Sequence, residues 1–134
     1  MGAWGEGNFE NDTALDWVGD LVEADDVTPV TRAIAAVLQG DEYLDADVGC
    51  VGLASAEVVA ALRGHPAEHL PQEVTGWVAA NRGVPAETLI ADCRAAVARI
   101  RDPQVSELCQ LWEEGGDPAT EWRAVLDDLV ERLA

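Results

Sequence analysis

The punctuation of this chain constrains its fold more than any other feature. Three polar-proline pairs, Thr28-Pro29, Asp102-Pro103 and Asp117-Pro118, each precede a run of apolar residues. A polar side chain there can accept from the free N–H groups of a helix start. Proline suits the first helical position, where its missing N–H is not needed. Gly40, Gly64, Gly83 and Gly115 follow the ends of such runs, where a left-handed cap is expected. Between these marks the apolar residues recur at intervals of three and four, the period of an amphipathic helix. No alternation of period two persists, so no sheet is predicted.

The spacing predicts about seven helices. The first spans about 12–24, with Leu15, Val18, Leu21 and Val22 inward, and the second about 29–39, with Val30, Ile34, Val37 and Leu38 inward. The third spans about 46–63 (Val48, Val51, Val58, Val59, Leu62), and a short one covers about 71–81 (Val74, Trp77, Val78). Three more follow at about 86–101 (Leu89, Ile90, Cys93, Val97, Ile100), 103–114 (Val105, Leu108, Cys109, Trp112) and 118–133 (Trp122, Val125, Leu126, Leu129, Val130, Leu133). The first ten or so residues, rich in glycine, read as irregular. The expected fold class is all-α: a compact bundle of about seven short amphipathic helices forming one domain over residues 1–134.

Charge excludes several functions. The chain carries 26 acids against 8 bases, all arginine, for a net −18. Residues 1–48 hold 12 acids and one base, Arg32, while 49–134 hold 14 acids and seven bases. Nucleic-acid binding needs a basic face, and so does adhesion to an anionic membrane; neither is expected. A basic protein partner, a cation, or plain solvation remain. The lack of lysine fits a GC-rich bacterial genome. The N-terminus has neither the charged nor the apolar region of an export signal, which makes the cytoplasm the expected location. Cys50, Cys93 and Cys109 are odd in number and unpaired in spacing, so they read as free thiols on apolar helix faces.

The opening, residues 1–17, contains Met1, Gly2, Trp4, Gly5, Gly7, Phe9, Glu10, Asn11, Asp12, Ala14, Asp16 and Trp17 in an order that chance rarely produces. On these residues the chain resembles domain-of-unknown-function family 4259, a set of small bacterial proteins. The resemblance implies no activity and supplies no catalytic residue. Read physically, the glycines let the backbone turn tightly, and Trp4, Phe9 and Trp17 can bury large surfaces. Asn11 or Asp12 can cap the first helix. Such a segment either staples the N-terminus to the bundle or builds a shaped binding surface.

Two constellations could carry chemistry. Asp12, Asp16 and Asp20 follow one another at intervals of four on a single helix face, and Glu23 extends the row. If the first two helices form an antiparallel hairpin, Asp41, Glu42, Asp45 and Asp47 return towards Glu10, Asp12 and Asp16. That cluster would stay solvated, meet a basic protein, or hold a divalent cation through oxygen ligands. Residues 41–47 do not form a Ca²⁺ loop, because Tyr43, Ala46 and Gly52 stand where ligands and the turn glycine belong. The second is His65-Pro66-Ala67-Glu68-His69, which spells the H-x-x-E-H of some zinc peptidases. Two prolines leave it barely one turn of helix, so it reads as a surface connector, with His65 and His69 as minor metal candidates. No nucleophile elbow, phosphate loop or dinucleotide fingerprint is present, and without lysine there is no Schiff-base chemistry.

The expected function is a non-catalytic binding module, immunity-like, inhibitory or regulatory, presenting its acidic N-terminal face to a basic protein. The candidate binding residues are Trp4, Phe9, Glu10, Asp12, Asp16, Trp17, Asp20, Asp41, Asp45 and Asp47. No cofactor is predicted. The alternatives are a metal-dependent enzyme built on the same carboxylates, and a scaffolding subunit.

Overall fold

The structure is a computed structural model, and it describes residues 5–24, 26–39 and 43–134. Among them are seven α-helices and no strand: α1 (Asp12–Ala24), α2 (Thr28–Gln39), α3 (Ala46–Leu62), α4 (Gln72–Ala80), α5 (Ile90–Ile100), α6 (Glu107–Glu114) and α7 (Pro118–Arg132). A 3-10 turn, Ala86–Leu89, leads into α5.

α3 is the axis of the bundle. Its sequence is apolar or small all round, and every residue from Gly52 to Ala61 is buried. It packs against every other helix, with α2 and α5 closest. Gly52 permits that approach: a Cβ there would lie 2.6 Å from Val37 Cγ2 and 3.0 Å from Ile100 Cδ1. The surrounding helices each turn one stripe inward, as amphipathic helices do. α7 buries Trp122, Leu126 and Leu129, and Trp122 stacks on Trp112 of α6 with ring centroids 6.2 Å apart.

The segment before α3 is tied to the start of α6. Leu44 N–H donates to Val105 O, and Glu107 N–H donates to Leu44 O, forming one isolated parallel bridge between Leu44 and Ser106. The Glu107 carboxylate also accepts from Ala46 N–H at 2.8 Å, so a side chain of α6 caps α3.

Several expectations need correction. α1 turns Ala14, Trp17, Val18 and Leu21 inward, which leaves Leu15 39% and Val22 46% exposed. Leu38 of α2 is exposed as well. The bulky Trp17 ring and the small Ala14 take the inward face, and the helix rotates to suit them. Asp102-Pro103 does not start a helix. Asp102 Oδ1 accepts from Gln104 N–H in a local turn, and α6 begins only after Ser106, whose hydroxyl accepts from Cys109 N–H. Thr28 already lies within α2, and its N–H is taken by Asp26 Oδ1. Gly64 has the expected left-handed φ of +89°, but after α6 that role falls to Gly116 (φ +82°), not Gly115, and Gly83 does not take it. Gly40 lies outside the described residues.

Candidate functional site

Sequence order builds one feature that the helical pattern did not announce. Residues 6–10 cross the molecule before α1 begins. Asn11 Oδ1 accepts from Ala14 N–H at 2.7 Å and fixes the start of that helix. The Glu10 carboxylate folds back to accept from Gly7 N–H at 3.0 Å. Within this loop Asn8 and Phe9 are buried.

Asn8 is held from below. Its Nδ2 donates to Glu57 Oε2 at 2.7 Å. Glu57 stands in the middle of α3 with its side chain only 3% exposed. A carboxylate taken out of water needs compensation. Arg132, in the last turn of α7, supplies it: its two Nη groups grip Glu57 at 2.7 and 3.0 Å, and its Nε donates to Asp128 Oδ2 at 2.8 Å. The fork geometry of guanidinium and carboxylate favours this bidentate contact. Burial works against the Arg132 charge, but the bonds and charges of Glu57 and then Asp128 outweigh it and hold the guanidinium above its ordinary pKa. Arg132 Nη1 also donates to His65 O, and the His65 ring contacts Arg132 O at 2.9 Å through Nδ1. The network therefore ties together the N-terminal loop, α3, the connector after α3 and the end of α7.

Above the network lies a cleft of about 580 Å³. Residues 6–10 form one wall, Ala67, Glu68 and His69 a second, and the outer face of α7 the third. On α7 the residues are Glu121, Ala124, Val125, Asp128 and Arg132, spaced so that they share one stripe. Glu121 sits opposite Glu6. A hydrogen bond with the Glu6 carboxyl, followed by the Glu6 charge, slight desolvation and Asp117, raises Glu121 above the usual carboxylate range. Asn8 lines both this cleft and a small inner cavity of about 20 Å³, and its Oδ1 is buried with no partner among the described residues. The amide orientation is set by Glu57, an acceptor-only carboxylate that requires Nδ2 on its side.

The residues expected from sequence fall in three places. Glu10 and Phe9 reach the cleft, although Phe9 is 8% exposed and serves mainly as core. Trp17 is core outright. Asp12, Asp16 and Asp20 lie exposed along α1, and among the described residues no ion pair involves them or Glu23. Asp45 and Asp47 are exposed at the start of α3; Asp47 meets α1 at one point, accepting from the Thr13 hydroxyl at 3.2 Å. Trp4 and Asp41 lie outside the described residues. The metal candidates Asp12, Asp16, His65 and His69 do not assemble: among the described residues no group of three or more His, Cys, Asp or Glu could hold an ion. The H-x-x-E-H segment is a non-helical connector, which removes the one-face geometry that zinc ligation needs. Among the described residues no helix is long and apolar enough to cross a membrane.

Sequence reasoning missed Asn8, Glu57, Asp128 and Arg132. The signal was Glu57 itself, the lone charge between Leu53 and Leu62 in an otherwise apolar or small-residue run. Such a residue must find a partner wherever the helix is buried.

The fold and its cleft define a class: a small acidic helical bundle whose N-terminal loop is pinned to its last helix by a buried Asn–Glu–Arg network. The chain belongs to the family described as domain of unknown function (DUF4259), which matches residues 2–125. No curated protein and no solved structure matches it.

Proposed function

We propose that this protein is a non-catalytic binding module whose partner is a basic protein, and that α1 is the contact surface. The observation that carries this reading is the outward face of α1. Leu15, Gly19 and Val22 form an exposed apolar stripe, since an added Cβ at Gly19 would meet nothing. Asp12, Asp16, Asp20 and Glu23 run beside that stripe without counter-ions among the described residues. Like charges four apart cost a helix about 0.2–0.5 kcal/mol per pair, so the row is not there to stabilise α1. Four of the eight arginines are committed elsewhere: Arg101, Arg123 and Arg132 are paired with carboxylates, and Arg63 donates to the carbonyls of Leu133 and Ala134; Arg32 of α2 shares a pocket with Asp20. A face that joins apolar area to unneutralised acid suits an amphipathic segment bearing arginine or lysine, with the charges steering encounter.

A fluorescent amphipathic helical peptide with one leucine face and one arginine face tests the reading. It should bind the whole protein, lose affinity steeply between low and high salt, and weaken further with Leu15→Asp or with Asp16→Asn plus Asp20→Asn. Affinity indifferent to salt and to these three positions would remove α1 as the contact surface.

A further inference from the structure

We propose that the groove between α1 and α2 is a self-association surface whose occupant is a second copy of this chain. Helical spacing puts it on the side of α1 opposite Leu15 and Val22, so it does not depend on the role of that stripe.

The groove is lined by small and apolar side chains. Two hollows, of about 440 and 240 Å³, meet at Ala33 and Val51. Trp17 and Ala24 of α1 line the larger one, and Ala36 and Val48 line the smaller. Small side chains let the helices of another molecule approach closely, since the distance between packed helices follows the residues at the contact.

Charge identifies the occupant, because the groove is complementary to itself. Asp20 of α1 and Arg32 of α2 both line the larger hollow, and no ion pair joins them. Arg32 is the only base in residues 1–48. Alone among the seven helices, α2 carries no acid. A second copy turned face to face about an axis along the groove lays α1 of each copy over α2 of the other. Asp20 then meets the partner's Arg32 and Arg32 meets the partner's Asp20, the same contact made twice, as two-fold symmetry requires. The two α1 acid rows fall on opposite edges of the pair, each beside an acid-free helix. Leu15, Gly19 and Val22 stay open. A wholly basic occupant would set its own charge against Arg32, and a nucleic acid would face the acids of α1. Each chain carries −18, and about 0.15 M salt screens the mutual repulsion beyond about 8 Å.

Sedimentation equilibrium of the whole protein in about 0.15 M salt, from about 1 μM to 1 mM, tests the proposal. A reversible monomer–dimer equilibrium is expected. Asp20→Arg and Arg32→Asp each turn two attractive contacts into repulsive ones and should weaken the dimer at least about tenfold. An equal mixture of those two variants should pair again, and so should the double variant carrying both. Ala36→Gln, which fills the smaller hollow, should also weaken the dimer. Leu15→Asp, across α1 from the groove, should leave it intact, which separates this surface from the stripe that carries the proposed function. Arg94→Asp on α5 makes the same charge change as Arg32→Asp away from the groove and should leave the dimer intact. All five side chains are exposed, and circular dichroism verifies each fold. A monomer throughout the range, a dimer indifferent to the reversals, no recovery in the mixture, or equal weakening by Arg94→Asp overturns the proposal.

Discussion

Arg132→Met separates the charge of the buried network from its packing. Methionine keeps the apolar stem of arginine against its neighbours and removes only the guanidinium. Asp128, with 63% of its side chain exposed, returns to water at little cost. Glu57, at 3% exposure, cannot, and it keeps only the Asn8 amide. Removing one partner of a buried pair costs about 3–5 kcal/mol. In a chain of this size each kcal/mol moves Tm by about 3–5 °C, so a fall of about 10–20 °C is expected. The double variant Glu57→Met with Arg132→Met removes both charges. Its remaining penalty is the orphaned Asn8 amide, about 1–3 kcal/mol, so it should be more stable than Arg132→Met alone. Urea unfolding followed by far-ultraviolet circular dichroism measures all three proteins. A single variant within 1 kcal/mol of the parent, or a double variant less stable than the single, would refute the assignment of a desolvated charge at Glu57.

Three other perturbations test separate parts of the structure. Gly52→Ala should destabilise the bundle by about 1–3 kcal/mol, because the new methyl meets Val37 Cγ2 at 2.6 Å and a branched side chain on a packed helix has nowhere to turn; urea midpoints read it. The cysteine thiols should resist alkylation at pH 8 until the protein is unfolded. Burial and then Asp47 push Cys50 up to about 11, and burial and then Asp92 push Cys93 up to about 12. Burial also raises Cys109, so rapid labelling of any of the three would contradict the packing. Glu121→Gln should change the pH dependence of Tm. An acid whose folded pKa is raised contributes stability at low pH and loses it as pH rises above the ordinary carboxylate range. Glutamine mimics the protonated side chain, so the variant should melt higher than the parent at pH 7 and alike at pH 4.

The helices were legible because their causes are local. Intervals of three and four, a capping Asn11 and a proline at the head of α7 act within a few residues, and the expected bounds of α1, α3 and α7 lie within a residue of those found. The errors arise where two local rules compete. Asp102 could cap a helix or close its own turn, and it closes the turn. On α1 both Leu15 and Trp17 could face inward, and the larger aromatic ring takes the interior. The cleft was not legible, because the contact that makes it joins Glu57 to Arg132 across 75 residues. Helical period places each residue on a face but does not say which faces meet.

Acid has two different roles in this chain, and burial separates them. On α1 the carboxylates are exposed and have no ion-pair partner among the described residues, and they give the surface a long-range charge without fixing any geometry. Around Glu57 the same chemical group is stripped of water and becomes directional: it orients Asn8, grips Arg132 and thereby closes the N-terminal loop over the end of α7. Part of the opening segment follows from this second role. Phe9 anchors the loop in the core, Glu10 closes it onto Gly7, and Asn8 alone reaches the buried carboxylate. Phe9 and Glu10 act on the loop itself, whereas Asn8 serves the buried carboxylate, which without it would keep only Arg132.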